Sequence, residues 1–312
     1  MKLVINIPCF NEEKTLSLVL DELPKKIKGI SKIEVQIVDD GSTDKTSEVA
    51  EKYGARVIKH KKNLGLGTAF KHGMEAALEA GADIMVNTDA DNQYPSKYIS
   101  DLVQPILKHE ADIIIGNRDP WNVKHFSGFK KLMQFCGNGL ARYIAGSDAP
   151  DTVSGFRAYS KHAMLKLNIL TKFSYVLDTI VQATKKGLLI KSIPIETNPP
   201  TRKSRLFRNI FHHMNKSLVN IMRCYVIYEP FKTFMAFMWV FLVPAVIIVI
   251  RFIYLFFNGS GGHIQSLILA TICFILAAIM FTLGILAELL GINRQLMEEQ
   301  LYLKRKTIYK EK

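Results

Sequence analysis

Two acidic residues separated by a single position, Asp89 and Asp91, directly follow a short apolar run, and Gln93 lies two positions further along the chain. The apolar run at 84–86 predicts a β-strand over 84–87, and on an extended backbone alternate side chains point in the same direction. Three oxygen-bearing groups could then converge on one hard divalent cation, and Mg²⁺ bound by one or two carboxylates commonly takes substrate phosphate oxygens as further ligands. The Asp-x-Asp pattern alone is weak evidence, because many surface turns contain it.

Two further polar clusters each follow directly on a predicted strand, one at residues 8–12 and the other at residues 39–44. A carboxylate at a strand end, such as that of Asp40, can accept a hydrogen bond from a nucleobase N–H or a ribose hydroxyl. Ser42 and Thr43 are instead suited to capping the next helix, because their hydroxyl oxygens can accept from free backbone N–H groups at its start. The second cluster therefore predicts ligand contact by Asp40 and helix capping by its neighbours.

Strands and helices are predicted to alternate over the first 120 residues. Strands are predicted at 3–7, 34–38, 56–59, 84–87 and 113–116, and helices at 12–23, 44–53, 68–80 and 98–109. This alternation predicts an α/β fold with a mostly parallel, Rossmann-like sheet and helices on both faces. Ligands of such sheets bind at the carboxyl ends of the strands, so the three polar clusters are expected to meet at one edge.

The charge of the chain is uneven and points to a membrane surface. The chain has 312 residues and a formal net charge of +13, and many of its cations lie at 202–232 and 294–312. Those segments flank an almost wholly apolar region at 234–290, and the sequence contains no recognisable nucleic-acid-binding module. Anionic lipid is therefore the expected partner of these cations, and nucleic acid is not expected to bind.

Two apolar segments, 234–257 and 264–290, each contain a single charged residue. Each is long enough to cross a hydrocarbon core of about 30 Å as a helix. The connection between them has no Lys or Arg, whereas the segments on either side have many. The positive-inside rule then predicts an integral protein of the cell membrane or of an endoplasmic-reticulum-type membrane, with the N-terminal domain and both termini in the cytoplasm.

The predicted organisation has four parts. They are a cytoplasmic domain at 1–207, amphipathic interface helices at 208–233, a transmembrane hairpin at 234–290 and a cytoplasmic tail at 291–312. The interface helices are predicted because cations and apolar residues recur there at helical spacing, as in helices that lie in the membrane surface. The alternative for that segment is a helix that faces the core of the first domain.

Four motifs together carry a family resemblance. They are Pro-x-Phe-Asn-Glu at 8–12, Asp-Asp-Gly-Ser-Thr-Asp at 39–44, Asp-Ala-Asp-x-Gln at 89–93 and Gly-Asn-Arg at 116–118. Jointly they resemble the family 2 glycosyltransferases with the GT-A nucleotide-sugar fold. Ser-Gly-Phe-Arg at 154–157 and the two terminal spans narrow the resemblance to the polyprenyl-phosphate glycosyltransferases, the group of dolichyl-phosphate mannose synthase and undecaprenyl-phosphate glucosyltransferase.

The resemblance implies a role for each motif. The implied nucleoside pocket consists of Pro8, Phe10, Glu12, Val38 and Asp40. The implied metal and diphosphate site consists of Asp89, Ala90, Asp91 and Gln93, with Asp89, Asp91 and Gln93 as the metal ligands. Arg118 resembles an arginine that neutralises the donor phosphates, and Asp91 and Arg118 are the implied catalytic residues. The implied acceptor-phosphate contacts are Asp151, Ser154, Arg157, Arg202, Ser204 and Arg205.

The basic stretch at 202–205 departs from the family pattern. Many relatives have Arg-x-Gly-Glu-Ser-Lys here, whereas this chain has cations in place of the Gly and the Glu. The stretch lies just before the predicted membrane-associated helices, where a lipid phosphate would hang below the bilayer, and Arg suits bidentate phosphate recognition. The alternative is a surface patch that attracts anionic lipid.

The resemblance implies inverting, metal-dependent transfer of a sugar from a UDP- or GDP-linked donor to a polyprenyl phosphate, with Mg²⁺ or Mn²⁺ as cofactor. The product would be a lipid-phosphate-linked monosaccharide for glycan assembly. The acceptor oxygen is already anionic near neutral pH, so no strong general base is needed, and Asp178 is expected to be a solvated or structural acid. Relatives often assemble as tetramers, which implies a homo-oligomer.

Two other functions are weighed. A processive family 2 polysaccharide synthase would carry a Gln-x-x-Arg-Trp motif, but neither Trp121 nor Trp239 follows an arginine. A nucleotide-sugar-binding membrane scaffold without turnover would not require Asp89, Asp91 and Arg118, all of which are present. Transfer to a polyprenyl phosphate is therefore the favoured function.

Overall fold

The computed structural model describes residues 1–118, 139, 154–169, 175–199, 219, 222–223, 225–259 and 264–310. The chain divides into two compact units. The first consists of Met1–Asn215 together with Glu299–Lys312, and the second of Lys216–Glu298. The first unit contains the β-sheet and the second contains the long apolar helices.

Seven strands form one sheet within the described residues of the first unit. They are β1 (Lys2–Cys9), β2 (Lys32–Asp39), β3 (Arg56–Lys59), β4 (Ile84–Asn87), β5 (Ile113–Asn117), β6 (Arg157–Ser160) and β7 (Ile190–Pro194). Their spatial order is β3-β2-β1-β4-β6-β5-β7. All neighbours run parallel except β6, which is antiparallel to both β4 and β5. The prediction of a mostly parallel α/β sheet is confirmed.

The described helices of the first unit connect these strands. They are α1 (Leu16–Glu22), α2 (Thr46–Lys52), α3 (Leu66–Glu79), α4 (Ile99–Leu107), α5 (Lys161–Lys166) and α6 (Tyr175–Lys185). The observed bounds match the predicted ones for the strands at 56–59 and 84–87. Among these helices the predicted start that differs most is that of α1, at Leu16 instead of 12. Asn11 has a left-handed φ of 55°, and the backbone N–H of Glu12 donates to Thr46 Oγ1 (2.9 Å), so the chain turns before the helix begins.

Helices cover both faces of the sheet at its central strand β1. Successive residues of a strand face opposite sides, so the two faces can be distinguished along β1. Leu3, Ile5 and Ile7 belong to the main apolar core, which also contains residues of α1 and α4. Asn6 faces the other side, where a Cβ added to Gly73 of α3 would lie 2.8 Å from Asn6 Cγ. Helix α3 therefore packs so closely against this face that position 73 has no room for a Cβ.

The second unit contains α7 (Pro230–Phe257) and most of α8 (Ile264–Lys310). Both helices are long and apolar enough to cross a membrane. Only 6% of the most apolar stretch of α7 and 17% of that of α8 is buried within the protein, whereas a core helix of a soluble domain would be mostly buried. The predicted spans lie within these two helices, and their exposed apolar side chains are suited to contact with lipid.

The end of α8 belongs to the first unit and is held there by a buried cation. Arg305 is only 9% exposed. Its Nη1 donates to Leu167 O (2.9 Å) and its Nη2 lies 3.4 Å from Glu75 Oε1. The residues that were predicted to follow the second span as a tail thus continue the same helix.

Arg305→Ala is expected to lower the melting temperature of the full-length protein. The buried Leu167 carbonyl would lose its donor, which costs about 1–3 kcal/mol. Thermal unfolding in detergent, followed by circular dichroism, measures the effect. Lys304→Ala is the matched control, because Lys304 is the exposed neighbour on the same helix. Equal melting temperatures for the two variants would contradict the proposed anchoring by Arg305.

Candidate functional site

The three polar clusters follow strands that are neighbours in the sheet. β1 pairs in parallel with β2 on one side and with β4 on the other, so the carboxyl ends of all three lie at one edge. The first two clusters are bonded to each other across this edge. Asn11 N donates to Ser42 Oγ (2.9 Å), and Thr43 N donates to Asn11 Oδ1 (2.8 Å). The expectation that these clusters meet at one edge agrees with the observed topology.

The candidates for a nucleoside pocket differ in exposure. Pro8 and Val38 are register partners in β1 and β2, and both are buried. Phe10, just beyond β1, is 38% exposed and offers an aromatic ring to a ligand. Glu12 is only 7% exposed, and its Oε2 accepts a hydrogen bond from Thr15 Oγ1 (2.9 Å). The Glu12 carboxylate therefore already helps to hold the turn before α1.

Asp40 is buried and shapes the turn that precedes α3. Its Oδ1 accepts from the backbone N–H of Leu64 (2.8 Å) and lies 2.7 Å from His60 Nδ1. Its Oδ2 accepts from the backbone N–H of Gly65 (2.9 Å). A second histidine, His72, extends this network, with its Nδ1 2.9 Å from His60 Nε2. The carboxylate expected to contact a nucleobase therefore also fixes the backbone of a neighbouring loop, a role that residue type did not predict.

The capping prediction for Ser42 and Thr43 is wrong, because both hydroxyl-bearing residues are engaged with Asn11. Asp44 takes the position at the start of α2, where its Oδ1 accepts from Thr46 N (3.0 Å). Burial opposes ionisation of Asp44, but hydrogen bonds from Thr46 and from a backbone N–H outweigh it and keep the pKa of this carboxyl below its usual value. An ionised carboxylate at a helix start also interacts favourably with the helix dipole.

The Asp-x-Asp cluster forms a turn in which exposure alternates. Asp89, Asp91 and Gln93 are partly exposed, whereas the residues between them, Ala90 and Asn92, are buried. The three side chains were predicted to point the same way from an extended backbone, but β4 already ends at residue 87 and Asn92 has a left-handed φ of 56°. The turn is closed by a hydrogen bond from the backbone N–H at 93 to the Oδ1 atom at 91 (3.2 Å).

The donor set at this turn fits a hard cation. It offers two carboxylates and one amide oxygen, Asp89, Asp91 and Gln93, and no sulfur or imidazole ligand. Within the described part of the chain, no group of three or more His, Cys, Asp and Glu side chains is arranged to hold a metal ion. Mg²⁺ is commonly held by one or two carboxylates and completes its octahedral shell with phosphate oxygens and water, so the pair is sufficient for a site shared with a ligand.

Asn198 holds this turn from a distant part of the sequence. Its backbone N–H donates to Gln93 O (2.9 Å), and its Nδ2 donates to Asn92 O (3.0 Å). Sequence reasoning missed this residue. In the sequence, Asn198 stands directly before two prolines. This pattern indicates a turn, but it does not identify the partner of the Asn198 side chain.

Arg118 lies close to Tyr94, the residue that follows the cluster in the sequence. Arg118 follows β5, and its Nη1 lies 3.5 Å from Tyr94 Oη. The Tyr94 ring is buried and stacks on Phe156 at 5.1 Å between centroids. A Cβ at Gly116 would lie 2.8 Å from Ile195 Cδ1 and 3.0 Å from Phe156 Cδ1, so a larger residue there would displace these side chains.

The described acceptor-phosphate candidates lie inside the fold. Ser154 and Arg157 are both 0% exposed. The Arg157 guanidinium donates to Ser154 O, Val176 O and Thr179 Oγ1, each at 2.8 Å. Its hydrogen bonds therefore tie the segment before β6 to α6. Asp151, Arg202, Ser204 and Arg205 lie outside the described residues.

Asp178 is 2% exposed and accepts a hydrogen bond from Gln182 Nε2 (3.1 Å) within α6. Of the two interpretations given to this acid, burial favours the structural one over the solvated one. Gln182, which lies one turn later on α6, is also fully buried.

The chain is similar in sequence to several known proteins. The model of the family described as "Glycosyl transferase family 2" matches residues 4–167. An uncharacterized protein of Methanocaldococcus jannaschii is 36% identical over 63% of this chain and 81% of that protein. The UDP-N-acetylglucosamine–dolichyl-phosphate N-acetylglucosaminyltransferase of Methanococcus voltae is 29% identical over 61% of this chain and 83% of that enzyme.

A solved structure shares the fold. The glucosyl-3-phosphoglycerate synthase of Mycobacterium tuberculosis, crystallised with Mn²⁺, UDP and glucosyl-3-phosphoglycerate, has a TM-score of 0.55 and 21% sequence identity. The match covers 72% of this chain and 78% of that one. At this level of identity the likeness supports the architecture alone.

Proposed function

The chain belongs to glycosyl transferase family 2, and from this premise we propose that it transfers a sugar from a nucleotide-sugar donor to a polyprenyl phosphate with inversion at the anomeric carbon. One observation carries the proposal. The edge of the sheet that gathers Asp40, Asp89 and Asp91 belongs to a chain with two helices long and apolar enough to cross a membrane. A soluble donor and a lipid acceptor can both reach such an enzyme.

The donor is proposed to bind along the edge formed by β1, β2 and β4. The nucleoside would lie near the exposed ring of Phe10 and the loop fixed by Asp40, and the diphosphate near Asp89 and Asp91. A divalent cation bound by the two carboxylates, with Gln93 beside them, would stabilise the charge of the departing nucleoside diphosphate. The Mycobacterium tuberculosis structure contains Mn²⁺ and UDP, which supports a divalent ion and a nucleotide in this fold.

The acceptor is proposed to be a polyprenyl phosphate, because the Methanococcus voltae relative is named as a dolichyl-phosphate transferase. A phosphate monoester is anionic near neutral pH and can attack the anomeric carbon without a strong base. The protein must then align this oxygen and offset its charge against the donor phosphates. Arg118 is proposed to do so, and Arg157 is proposed to hold the segment before β6 in place from within the fold.

The membrane orientation follows from charge. The connection between the two apolar helices lacks Lys and Arg, whereas both flanks are basic, so the sheet domain and both termini are proposed to lie in the cytoplasm. The basic residues Arg202 and Arg205 are proposed, with Asp151 and Ser204, to meet the acceptor phosphate as it emerges from the lipid. Single in-line displacement would convert an α-linked donor into a β-linked lipid phosphate sugar.

A donor panel tests the proposed function. Full-length protein in detergent is incubated with a polyprenyl phosphate, Mn²⁺ or Mg²⁺, and in turn with UDP-glucose, UDP-N-acetylglucosamine and GDP-mannose. We expect one donor to give a lipid carrying a single sugar by mass spectrometry, and EDTA to abolish it. A polymeric product would instead support the processive synthase. Donor binding with neither lipid product nor metal-dependent donor hydrolysis would support the non-catalytic scaffold.

A further inference from the structure

Three amide side chains form a continuous row across the centre of the sheet. Gln36 on β2, Asn6 on β1 and Asn87 on β4 are register partners in neighbouring strands. All three are 0% exposed. Burying an amide is unfavourable unless its hydrogen bonds are made, so such a row in the middle of apolar strands requires compensation.

The compensation is a chain of hydrogen bonds that runs in one direction. Gln36 Nε2 donates to Asn6 Oδ1 (2.8 Å), and Asn6 Nδ2 donates to Asn87 Oδ1 (2.8 Å). Asn87 Nδ2 then donates to Tyr175 Oη (2.8 Å) on α6, and Tyr175 Oη donates to Gly155 O (3.2 Å). In such chains each bond polarises the next, so the whole set is stronger than isolated pairs.

The chain ends next to the carboxylate cluster. Asn87 Nδ2 also donates to Gly155 O (3.2 Å), so this carbonyl accepts from two side chains. A Cβ at Gly155 would lie 3.2 Å from Tyr175 Oη and 3.3 Å from Asp89 Oδ1. Gly155 is therefore seated between the tyrosine hydroxyl and the carboxylate that we assign to the diphosphate site.

The tyrosine itself is rigidly placed. Its ring stacks on Phe70 with 3.8 Å between centroids and an interplanar angle of 5°. Burial, and next the negative charge of Asp89, raise the pKa of Tyr175 well above its usual value. The hydroxyl therefore keeps its proton and remains a donor to Gly155 O.

We propose that Asn87 and Tyr175 are positioning residues of the transfer reaction, which fix Gly155 against Asp89 and so set the spacing between the donor diphosphate and the 154–157 segment. This inference rests on the proposed function, since that function assigns the donor diphosphate to Asp89 and gives Arg157 the task of holding the 154–157 segment. A hydrogen-bonded row that only stabilised the core would leave the turnover number of the folded enzyme unchanged.

The chain offers a matched pair of variants for the test. Tyr159 is buried beside the same Phe70 ring, at 5.5 Å between centroids, but its hydroxyl is not part of the hydrogen-bonded row that ends at Gly155. Tyr175→Phe and Tyr159→Phe thus remove the same atom from similar surroundings. Both are compared as full-length proteins in detergent, well below their melting temperatures.

We expect Tyr175→Phe to lower kcat about tenfold, which is the effect of losing one buried hydrogen bond that holds Gly155 in place during transfer. The donor KM is expected to change less than about twofold. Tyr159→Phe is expected to keep wild-type kcat. If both variants fold and their kcat values agree, Tyr175 has only a structural role and the inference is wrong, although the proposed function stands.

A second readout does not depend on turnover. Mn²⁺ affinity in the presence of UDP is measured from the electron paramagnetic resonance signal of free Mn²⁺. Gly155→Ala, which adds a methyl group against Asp89, and Tyr175→Phe are expected to weaken binding severalfold, and Tyr159→Phe to leave it unchanged. If the wild type transfers no sugar to any lipid, the proposed function fails, and this binding comparison then tests the part of the inference that does not need transfer, the placement of Gly155 against Asp89. Unchanged Mn²⁺ affinity in both test variants, or no binding by the wild type, would overturn it.

Discussion

Asp91→Asn is expected to reduce sugar transfer by about a hundredfold or more, since a bound cation contributes several kcal/mol to stabilising the charge of the leaving group. The substitution removes a negative charge but keeps the size of the side chain. The fold should survive, because Asp91 is partly exposed and its amide counterpart can still accept the hydrogen bond from the backbone N–H of Gln93. The initial rate of lipid-linked sugar formation measures the effect.

Asp101→Asn is the control for this prediction. Asp101 is an exposed acid in the first turn of α4, outside the candidate site, so its variant is expected to transfer sugar at the wild-type rate. Raising the Mn²⁺ concentration should restore part of the activity of the Asp91 variant, since the remaining ligands still bind the ion weakly. Full turnover by Asp91→Asn at low metal concentration would show that this carboxylate does not hold the cation.

Asp40→Asn is expected to raise the donor KM about tenfold or more. In the variant, the amide NH2 would face a backbone N–H that now donates to a carboxylate oxygen. That N–H would lose its acceptor, and an unsatisfied buried donor costs about 1–3 kcal/mol. Leu64 N–H and Gly65 N–H each donate to one Asp40 oxygen, so one of the two would lose its acceptor and the loop before α3 would shift. Initial rates at varied donor concentration give this KM, and the acceptor KM should change little.

His60→Gln is the comparison variant for Asp40. Gln retains a donor for Asp40 Oδ1 but not the ring of His60, which is 8% exposed. We expect a smaller rise in donor KM, since both backbone N–H groups keep their acceptors. An unchanged donor KM in Asp40→Asn would show that the loop before α3 plays no part in donor binding.

Much of the fold could be predicted because it depends on local patterns. The segments 56–59 and 84–87 are strands with the predicted bounds, and three polar clusters share an edge because parallel strands place their carboxyl ends together. The extended backbone predicted for Asp89 to Gln93 is instead a turn, in which these residues alternate between partly exposed and buried.

The partners of individual side chains could not be predicted in the same way, because they are set by residues far apart in sequence. Arg157 was expected to meet a phosphate, but it is fully buried and bonded to α6. Asn198 and Tyr175 reach the site from more than 80 residues beyond Asp89. One signal was available and was overlooked: Asn6, among apolar residues of a central strand, pointed to a polar contact inside the fold.

The close approach of α3 to the amide row limits how this protein can change during evolution. Any side chain at position 73 would collide with Asn6. Replacing one of the three amides alone would leave a buried donor or acceptor without its partner, whereas replacing partners together by apolar groups of similar shape can be nearly neutral. Positions 6, 36, 73 and 87 are therefore expected to be inherited as a block, and related lineages should either keep the whole set or have exchanged it as a whole.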